Sequence, residues 1–134
     1  MPIIQWSDAF RTGDAEVDGQ HQTLFRLFND LHVAEREESS PETVGRILEA
    51  FAAYIDEHFG TEERLMAAVS YPDMARHLAQ HRQVEGRTRV MLADFKAGRP
   101  VPLREISAFL GQWLTVHINQ FDRAMVAFVQ AHRE

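Results

Sequence analysis

Five histidines and two carboxylates occupy positions where an apolar helix stripe would be expected to continue. Burying a carboxylate without a partner costs several kcal/mol, so a core that contains this set needs one explanation for all of it. Imidazole nitrogens and carboxylate oxygens are common metal ligands in proteins. The pattern therefore predicts a metal site formed by His21, His58, Glu62, His77, His81, His117 and Asp122.

The spacing of these residues is typical of helices. Each lies in step with apolar residues three or four positions away, which is the period of an amphipathic helix. His58 and Glu62 are four residues apart, as are His77 and His81, so each pair shares a helix face. Any one of these histidines alone is more commonly a hydrogen-bonded core residue. The joint pattern favours a metal site because each of four predicted helices supplies at least one of the seven residues.

Helix-breaking residues divide the chain into these four segments. They are Gly13, Ser39-Ser40-Pro41, Ser70-Tyr71-Pro72, and Gly98-Arg99-Pro100 with Pro102. Proline fits a first helical turn, so Pro41, Pro72 and Pro102 predict helix starts. Gly98 predicts a helix end, and Asp18 predicts the N-cap of the first helix.

The predicted fold class is all-α. Short connections favour an antiparallel, up-down-up-down four-helix bundle. Residues 1–134 are expected to form a single domain, with 18–134 as the bundle. Residues 1–17 are expected to form an N-terminal arm that packs across the bundle through Ile3, Ile4, Trp6 and Phe10.

With alternating helix directions, the seven residues are expected to lie at one level of the bundle. His117 and Asp122 are five residues apart, so a regular helix would separate their side chains by about 140°. They could flank the metals from two edges, or a π-bulge could place them on one face. His32 lies too far along its helix to be a ligand, and His132 is expected to be solvated.

Composition limits the remaining function classes. The chain has no cysteine, which excludes disulfides, iron–sulfur clusters and thiolate zinc sites. Its formal net charge of −6 and its lack of a basic run argue against nucleic acid and anionic membranes as partners. Neither a signal peptide nor a membrane span is expected, which favours a cytoplasmic protein. No exposed heptad seam is evident, which favours a monomer.

The ordered motifs resemble those of the hemerythrins, and in particular the single-domain bacteriohemerythrins. The resemblance covers nearly the whole chain. It is carried by Trp6 with Gly13, by residues 17–21 (VDGQH), 58–66 (HFGTEERLM) and 71–72 (YP), by His77-x-x-x-His81, and by Trp113-Leu114-x-x-His117-Ile118-x-x-x-Asp122. No ligand position of the family pattern is missing.

The resemblance implies a non-haem di-iron centre whose two iron ions share an oxo or hydroxo bridge. By this likeness His77, His81 and His117 bind one iron, and His21 and His58 bind the other. Glu62 and Asp122 then bridge the pair. With octahedral ions, this ligand set leaves one open position, on the iron with two histidines.

The resemblance also implies reversible dioxygen binding, for oxygen storage, delivery (transport) or sensing, without enzymatic activity. An apolar pocket of Leu24, Phe59, Trp113 and Leu114 is expected to keep water and protons from bound dioxygen. Any oxygen-using enzyme partner is unknown. The alternatives are a di-iron enzyme with oxidase, peroxidase or nitric oxide chemistry, iron storage, and a structural bundle without metal. Di-iron enzymes of this architecture use mostly glutamate with repeated E-x-x-H motifs, and this sequence has no E-x-x-H.

Overall fold

The computed structural model describes residues 5–132, and within this range the chain is helical with no strand. The helices are α1 (Ala15–Arg36), α2 (Pro41–Ala68), α3 (Met74–Lys96), α4 (Leu103–His117) and α5 (Arg123–His132). A π-helix, Ile118–Asp122, joins α4 to α5, so these three segments form the continuous fourth helix of the bundle. The all-α four-helix bundle predicted from the sequence is confirmed. No helix in the described range is both long and apolar enough to span a membrane.

Most of the predicted helix boundaries lie within two residues of the observed ones. Pro41 is the first residue of α2, and Ser40 caps that helix by accepting a hydrogen bond from the amide of Thr43. Pro102 directly precedes α4. Gly98 adopts a positive φ of 78° after α3, a conformation that glycine takes without a steric penalty. The short connections place α2 alongside α1 and α3 alongside α2, and α4 packs against α1.

The predicted N-cap of α1 was wrong. The helix begins at Ala15, and Asp14 is the N-cap, with its side chain accepting a hydrogen bond from the amide of Val17. Asp18 is instead buried in the first turn. Its carboxylate accepts hydrogen bonds from the amide and hydroxyl of Thr12 and from the amide of Gly13. Asp18 therefore fastens the arm to the helix that follows it, and the N-cap lies four residues before the predicted one.

The described part of the arm packs across the bundle as predicted. Trp6 and Phe10 contact each other and the ring of Phe25, with ring centroids 5.1–5.9 Å apart. The side chain of Gln130 also donates a hydrogen bond to the carbonyl oxygen of Gly13, which ties the arm to α5. The predicted packing of Ile3 and Ile4 concerns positions outside the described residues.

Replacing Asp18 with alanine should release this attachment. The amide and hydroxyl groups that Asp18 satisfies would lose their acceptor, so the free energy of unfolding should fall by about 1–3 kcal/mol. Urea denaturation measures this change. Asp8→Ala is the matched control, because Asp8 is exposed and pairs with the exposed Arg11, so its loss should leave the denaturation midpoint unchanged. Equal midpoints for the two variants would contradict the role assigned to Asp18.

Two separate apolar cores fill the bundle. The larger contains Leu24, Ile55, Val84 and Leu114, and the smaller contains Val17, Met66, Met125, Val126 and Val129. On α1, for example, His21 lies between Val17 of one core and Leu24 of the other. On the other helices Phe59 and Ile118 of the larger core lie among the polar residues, but Met66 and Met125 of the smaller core lie beyond them. The polar residues therefore lie where the two cores meet, at the common level that the sequence predicts.

Candidate metal centre

The structure brings together all seven side chains that the sequence pattern singles out. None is more than 2% exposed. Their ligand atoms form two groups in which every atom lies within 4.8 Å of the others. Both carboxylates belong to both groups, whereas each histidine belongs to one. The larger group is Glu62, His77, His81, His117 and Asp122, and the smaller is His21, His58, Glu62 and Asp122.

Glu62 lies at the centre of the site and faces histidines from three helices. Its Oε1 atom is 3.0 Å from His77 Nε2 and 2.9 Å from His81 Nε2. Its Oε2 atom is 3.0 Å from His58 Nε2 and 3.5 Å from His21 Nε2. Each oxygen therefore faces one of the two histidine groups, which is the arrangement of a bridging carboxylate.

Asp122 repeats this division from the fourth helix. Its Oδ1 atom is 2.9 Å from His117 Nε2 and 3.1 Å from His77 Nε2, while its Oδ2 atom is 2.8 Å from His21 Nε2. One oxygen again faces each histidine group. The two carboxylates thus lie between the two histidine groups, Glu62 on α2 and Asp122 on the fourth helix of the bundle.

The π-helix gives Asp122 this position. A π-helix closes its hydrogen bonds over five residues, so residues five apart come onto one face. His117 ends α4, and Ile118–Asp122 is the π-helix itself. Of the two arrangements that the sequence leaves open, the π-distortion is the one found. A regular helix would have turned Asp122 well away from His117.

The unsatisfied atoms of the site fit metal ions. Several buried donors and acceptors lie close to a nitrogen or oxygen of another member but make no well-aligned hydrogen bond within the described part of the chain; they include His21 Nε2, His117 Nε2, Glu62 Oε2 and Asp122 Oδ1. A buried unpaired polar atom costs about 1–3 kcal/mol. Two ligands bound about 2.1 Å from one ion at a right angle lie about 3 Å apart, which matches the spacings found here. The donor set, nitrogen with carboxylate oxygen and no sulfur, fits first-row transition metals.

Without a metal, the site holds its charges as internal ion pairs. Burial alone lowers the pKa of His21 and His77, but hydrogen bonding and charge attraction from Asp122 and Glu62 outweigh it and raise each pKa to about 9. Burial raises the pKa of both carboxyl groups, yet the neighbouring histidines hold the pKa of Glu62 and of Asp122 well below the ordinary range. At neutral pH the metal-free site therefore contains ionised carboxylates beside protonated imidazoles.

Metal uptake should consequently release protons from His21 and His77. Since their folded pKa values of about 9 lie above the ordinary 6.5, the charged histidines stabilise the metal-free fold fully below pH 6.5, and this contribution is lost as the pH rises through about 9. A metal ligand must be neutral, so binding displaces those protons and tightens as the pH rises towards 9.

An anaerobic titration with ferrous iron, carried out with a pH indicator in weak buffer, measures this release. We expect more protons per iron at pH 7 than at pH 9. His132→Gln should give the same counts as the parent, because His132 is exposed and bonded to a backbone carbonyl. A proton count that does not change between the two pH values would contradict the charge state described for the metal-free site.

Comparison with known proteins places this site in a family. Residues 12–129 match the family model described as Hemerythrin HHE cation binding domain. The chain belongs to the hemerythrin family. The matched range spans all seven clustered residues.

Individual hemerythrin relatives agree in sequence and in fold. A bacteriohemerythrin of Stenotrophomonas maltophilia is 31% identical over 98% of this chain and 85% of its own length. Another, of Methylococcus capsulatus, is 32% identical over 92% of this chain and 94% of its own length. The crystal structure of a wild-type hemerythrin superposes with a TM-score of 0.88 at 28% identity, covering 96% of this chain and 98% of that one.

Gln20, which is buried, and Glu63, which is half-buried, each contact a histidine of the seven-residue cluster, and neither is assigned a role from the sequence alone. Gln20 Oε1 lies 2.6 Å from His58 Nδ1, and Glu63 Oε2 lies 3.2 Å from His81 Nδ1. Hydrogen bonds of this kind orient a ligating imidazole and fix which nitrogen carries the proton. The available signal was position: Gln20 directly precedes one candidate ligand and Glu63 directly follows another.

The four predicted pocket residues lie next to the cluster, in the larger apolar core. Leu24, Phe59 and Leu114 are buried, and Trp113 is half-buried. Phe59 stacks on His81 with ring centroids 3.7 Å apart, and Trp113 stacks on His117 at 4.2 Å. These two rings therefore lie against the group of three histidines, and Phe59 also contacts the ring of His58 in the group of two, with ring centroids 6.0 Å apart. The pocket was expected beside the group of two.

His32 and His132, which are not among the ligands predicted from the sequence, both lie away from the cluster. His32 is buried and stacks on Phe28 in the larger core, with ring centroids 6.4 Å apart. His132 is exposed and stacks on Phe128. Neither belongs to the two groups of candidate metal ligands found among the described residues.

Proposed function

We propose that this hemerythrin-family chain binds dioxygen reversibly at a pair of iron ions, for oxygen storage, delivery or sensing. The observation that carries the proposal is the position of the two carboxylates. In each of them one oxygen faces one histidine group and the second oxygen faces the other group. Membership of the family supports an iron-containing, oxygen-binding protein. In this proposal His77, His81 and His117 would hold one iron, His21 and His58 would hold the other, and Glu62 and Asp122 would be shared by both.

The donor set favours binding over catalysis. When bound, the iron pair supplies redox-active metal with a position open to a diatomic ligand. Five of the seven donors are neutral imidazoles, which favour the ferrous state over the higher oxidation states that anionic, glutamate-rich sites support. We therefore infer a binding protein rather than an oxidase or peroxidase. We further propose that residues 1–134 form one hemerythrin-like domain that acts as a monomer.

The chain's own side chains exclude water from the site. Phe59 lies flat against His81 and also contacts the ring of His58, with ring centroids 6.0 Å apart. Trp113 lies flat against His117, and Leu114 is buried one turn before His117. An apolar wall keeps protons away from a ligand that gains charge on binding, because a charge cannot be hydrated there. The wall thereby favours release of the ligand in the form in which it entered.

Metal analysis of the purified protein tests the proposal. We expect two irons per chain. We also expect the metal-free form to melt at a markedly lower temperature, because metal binding contributes directly to folding free energy and its removal leaves charged groups in the core. Protein that takes up no iron under anaerobic ferrous loading, and that melts at the same temperature with and without iron, would contradict the proposal.

A further inference from the structure

Two candidate ligand histidines make unlike contacts behind the metal site. His58, in the smaller group, faces the neutral amide of Gln20, with 2.6 Å between Nδ1 and Oε1. His81, in the larger group, faces the carboxylate of Glu63, with 3.2 Å between Nδ1 and Oε2. His58 and His81 thus each have a polar partner at Nδ1, the ring nitrogen that does not face the bridging carboxylates. The partner of His58 is neutral, whereas the partner of His81 is anionic.

A chain of hydrogen bonds fixes the direction of the contact at His58. The hydroxyl of Thr61 donates to the backbone carbonyl of Glu57, so the Thr61 oxygen is left to accept from the amide nitrogen of Gln20. That bond turns the amide oxygen of Gln20 towards His58, whose Nδ1 must then carry the proton and donate it. His58 Nε2 consequently presents its lone pair to the metal side.

The partner of His81 is a carboxylate that is itself paired with an arginine. Glu63 accepts a hydrogen bond from Arg82 at 2.8 Å, and the same carboxylate oxygen faces His81 Nδ1. The side chain of Glu63 is 26% exposed, and that of Arg82 is 52% exposed, so solvent weakens the arginine's neutralising effect. The buried ring of His81 therefore lies between a carboxylate behind it and the bridging carboxylate of Glu62 in front.

We propose that Glu63 is a positioning residue that makes the two iron positions unequal, by increasing electron donation from His81 to the iron held by three histidines. A carboxylate that accepts an imidazole N–H raises the basicity of that ligand, whereas an amide does so much less. The iron beside His81 is then the more easily oxidised of the pair. The iron beside His58 is harder to oxidise, because the neutral amide of Gln20 adds less electron donation to its ligand. This inference rests on the proposed di-iron function.

Glu63→Gln in the iron-loaded protein is the direct test. The substitution keeps a hydrogen-bond acceptor behind His81 and removes its charge. We expect about a tenfold loss of ferric relative to ferrous affinity at one iron, which is a rise of about 59 mV in a one-electron midpoint potential. Gln20→Glu should lower the potential of the other iron and thereby reduce the difference between the two. Mediated redox titration, followed by optical absorption, measures both changes.

Glu57→Gln is the matched control, since it removes the same charge from the same helix at an exposed side chain. Its potentials should equal those of the parent. In zinc-loaded protein, nitrogen-resolved NMR should show Nδ1 protonated on His58 and on His81, with the His81 proton signal moving upfield in Glu63→Gln.

The outcomes separate this inference from the proposed function. If Glu63→Gln holds two irons and its potentials match those of Glu57→Gln, the inference is overturned and the proposed function stands. If Glu63→Gln does not fold, a Gln20→Glu protein with unchanged potentials overturns it equally. A parent protein that holds no iron pair would refute both.

Discussion

Replacing Glu62 with glutamine should reduce the iron content from two per chain to one or none. Glu62 is fully buried and faces four histidines, two with each oxygen. Glutamine keeps the shape but offers one neutral oxygen, so it can serve one metal position at most. In the metal-free form, removing one partner from a buried ion pair should also lower the free energy of unfolding by about 3–5 kcal/mol.

Metal analysis and urea denaturation measure the two effects separately. Glu57→Gln again serves as the control, because its exposed side chain lies outside the cluster and its iron content should stay at two. A Glu62→Gln protein that retained both irons would show that Glu62 does not bridge the pair, whatever the change in stability.

Leu114→Ala should make the oxygenated protein decay faster to the ferric form while leaving the iron content at two. Leu114 is 2% exposed and lies one turn before His117. Truncation opens a cavity beside the site, which should lower the free energy of unfolding by about 2–5 kcal/mol. The cavity also admits water, so protons reach a ligand that the intact wall shields. The decay of the dioxygen-dependent absorption band gives the rate.

Leu110→Ala separates the pocket from the core as a whole. Leu110 is 1% exposed and lies one further turn away from His117 on the same helix. Its truncation should cost a similar free energy of unfolding and leave the decay rate near that of the parent. If Leu110→Ala and Leu114→Ala accelerate decay equally, or neither does, Leu114 is an ordinary core residue.

The helical register of the site could be predicted because its main signals are local. His58 with Glu62, and His77 with His81, share faces at the four-residue spacing of any α-helix, and the apolar positions around them fix which face is buried. The common level of the seven site residues follows from the alternating directions of the four helices and their constant rise per residue. These features need no knowledge of side-chain contacts between helices.

Other features depend on tertiary contacts that the sequence does not specify. The five-residue spacing of His117 and Asp122 is compatible with two arrangements, and the sequence does not show which of them is formed; the structure has the π-helix. Asp14 and Asp18 are both acceptable N-caps by residue type. The hydrogen bonds that Asp18 accepts from Thr12 and Gly13 decide between them, because they occupy its carboxylate within the first turn of the helix.

The contacts behind the metal site were also beyond sequence reasoning. Gln20 lies next to His21 in the chain but contacts His58 on another helix, and Glu63 follows Glu62 but contacts His81. Neighbours in sequence point to different sides of a helix, so adjacency suggested importance without revealing the partner. The stacking of Phe59 on His81 is likewise a contact between helices, and it places that ring nearer the three-histidine group than the sequence suggested.

The most direct test of the central claim is an oxygenation cycle on iron-loaded protein. Protein filled anaerobically with ferrous iron is exposed to a measured amount of dioxygen, purged with argon and re-exposed, with absorption and residual dioxygen recorded at each stage. Reversible binding predicts uptake of one dioxygen per two irons, its recovery in the purge gas, and the same absorption change on the second exposure. Consumption of dioxygen without recovery, leaving ferric protein after the first exposure, would contradict the account and would indicate a di-iron oxidase.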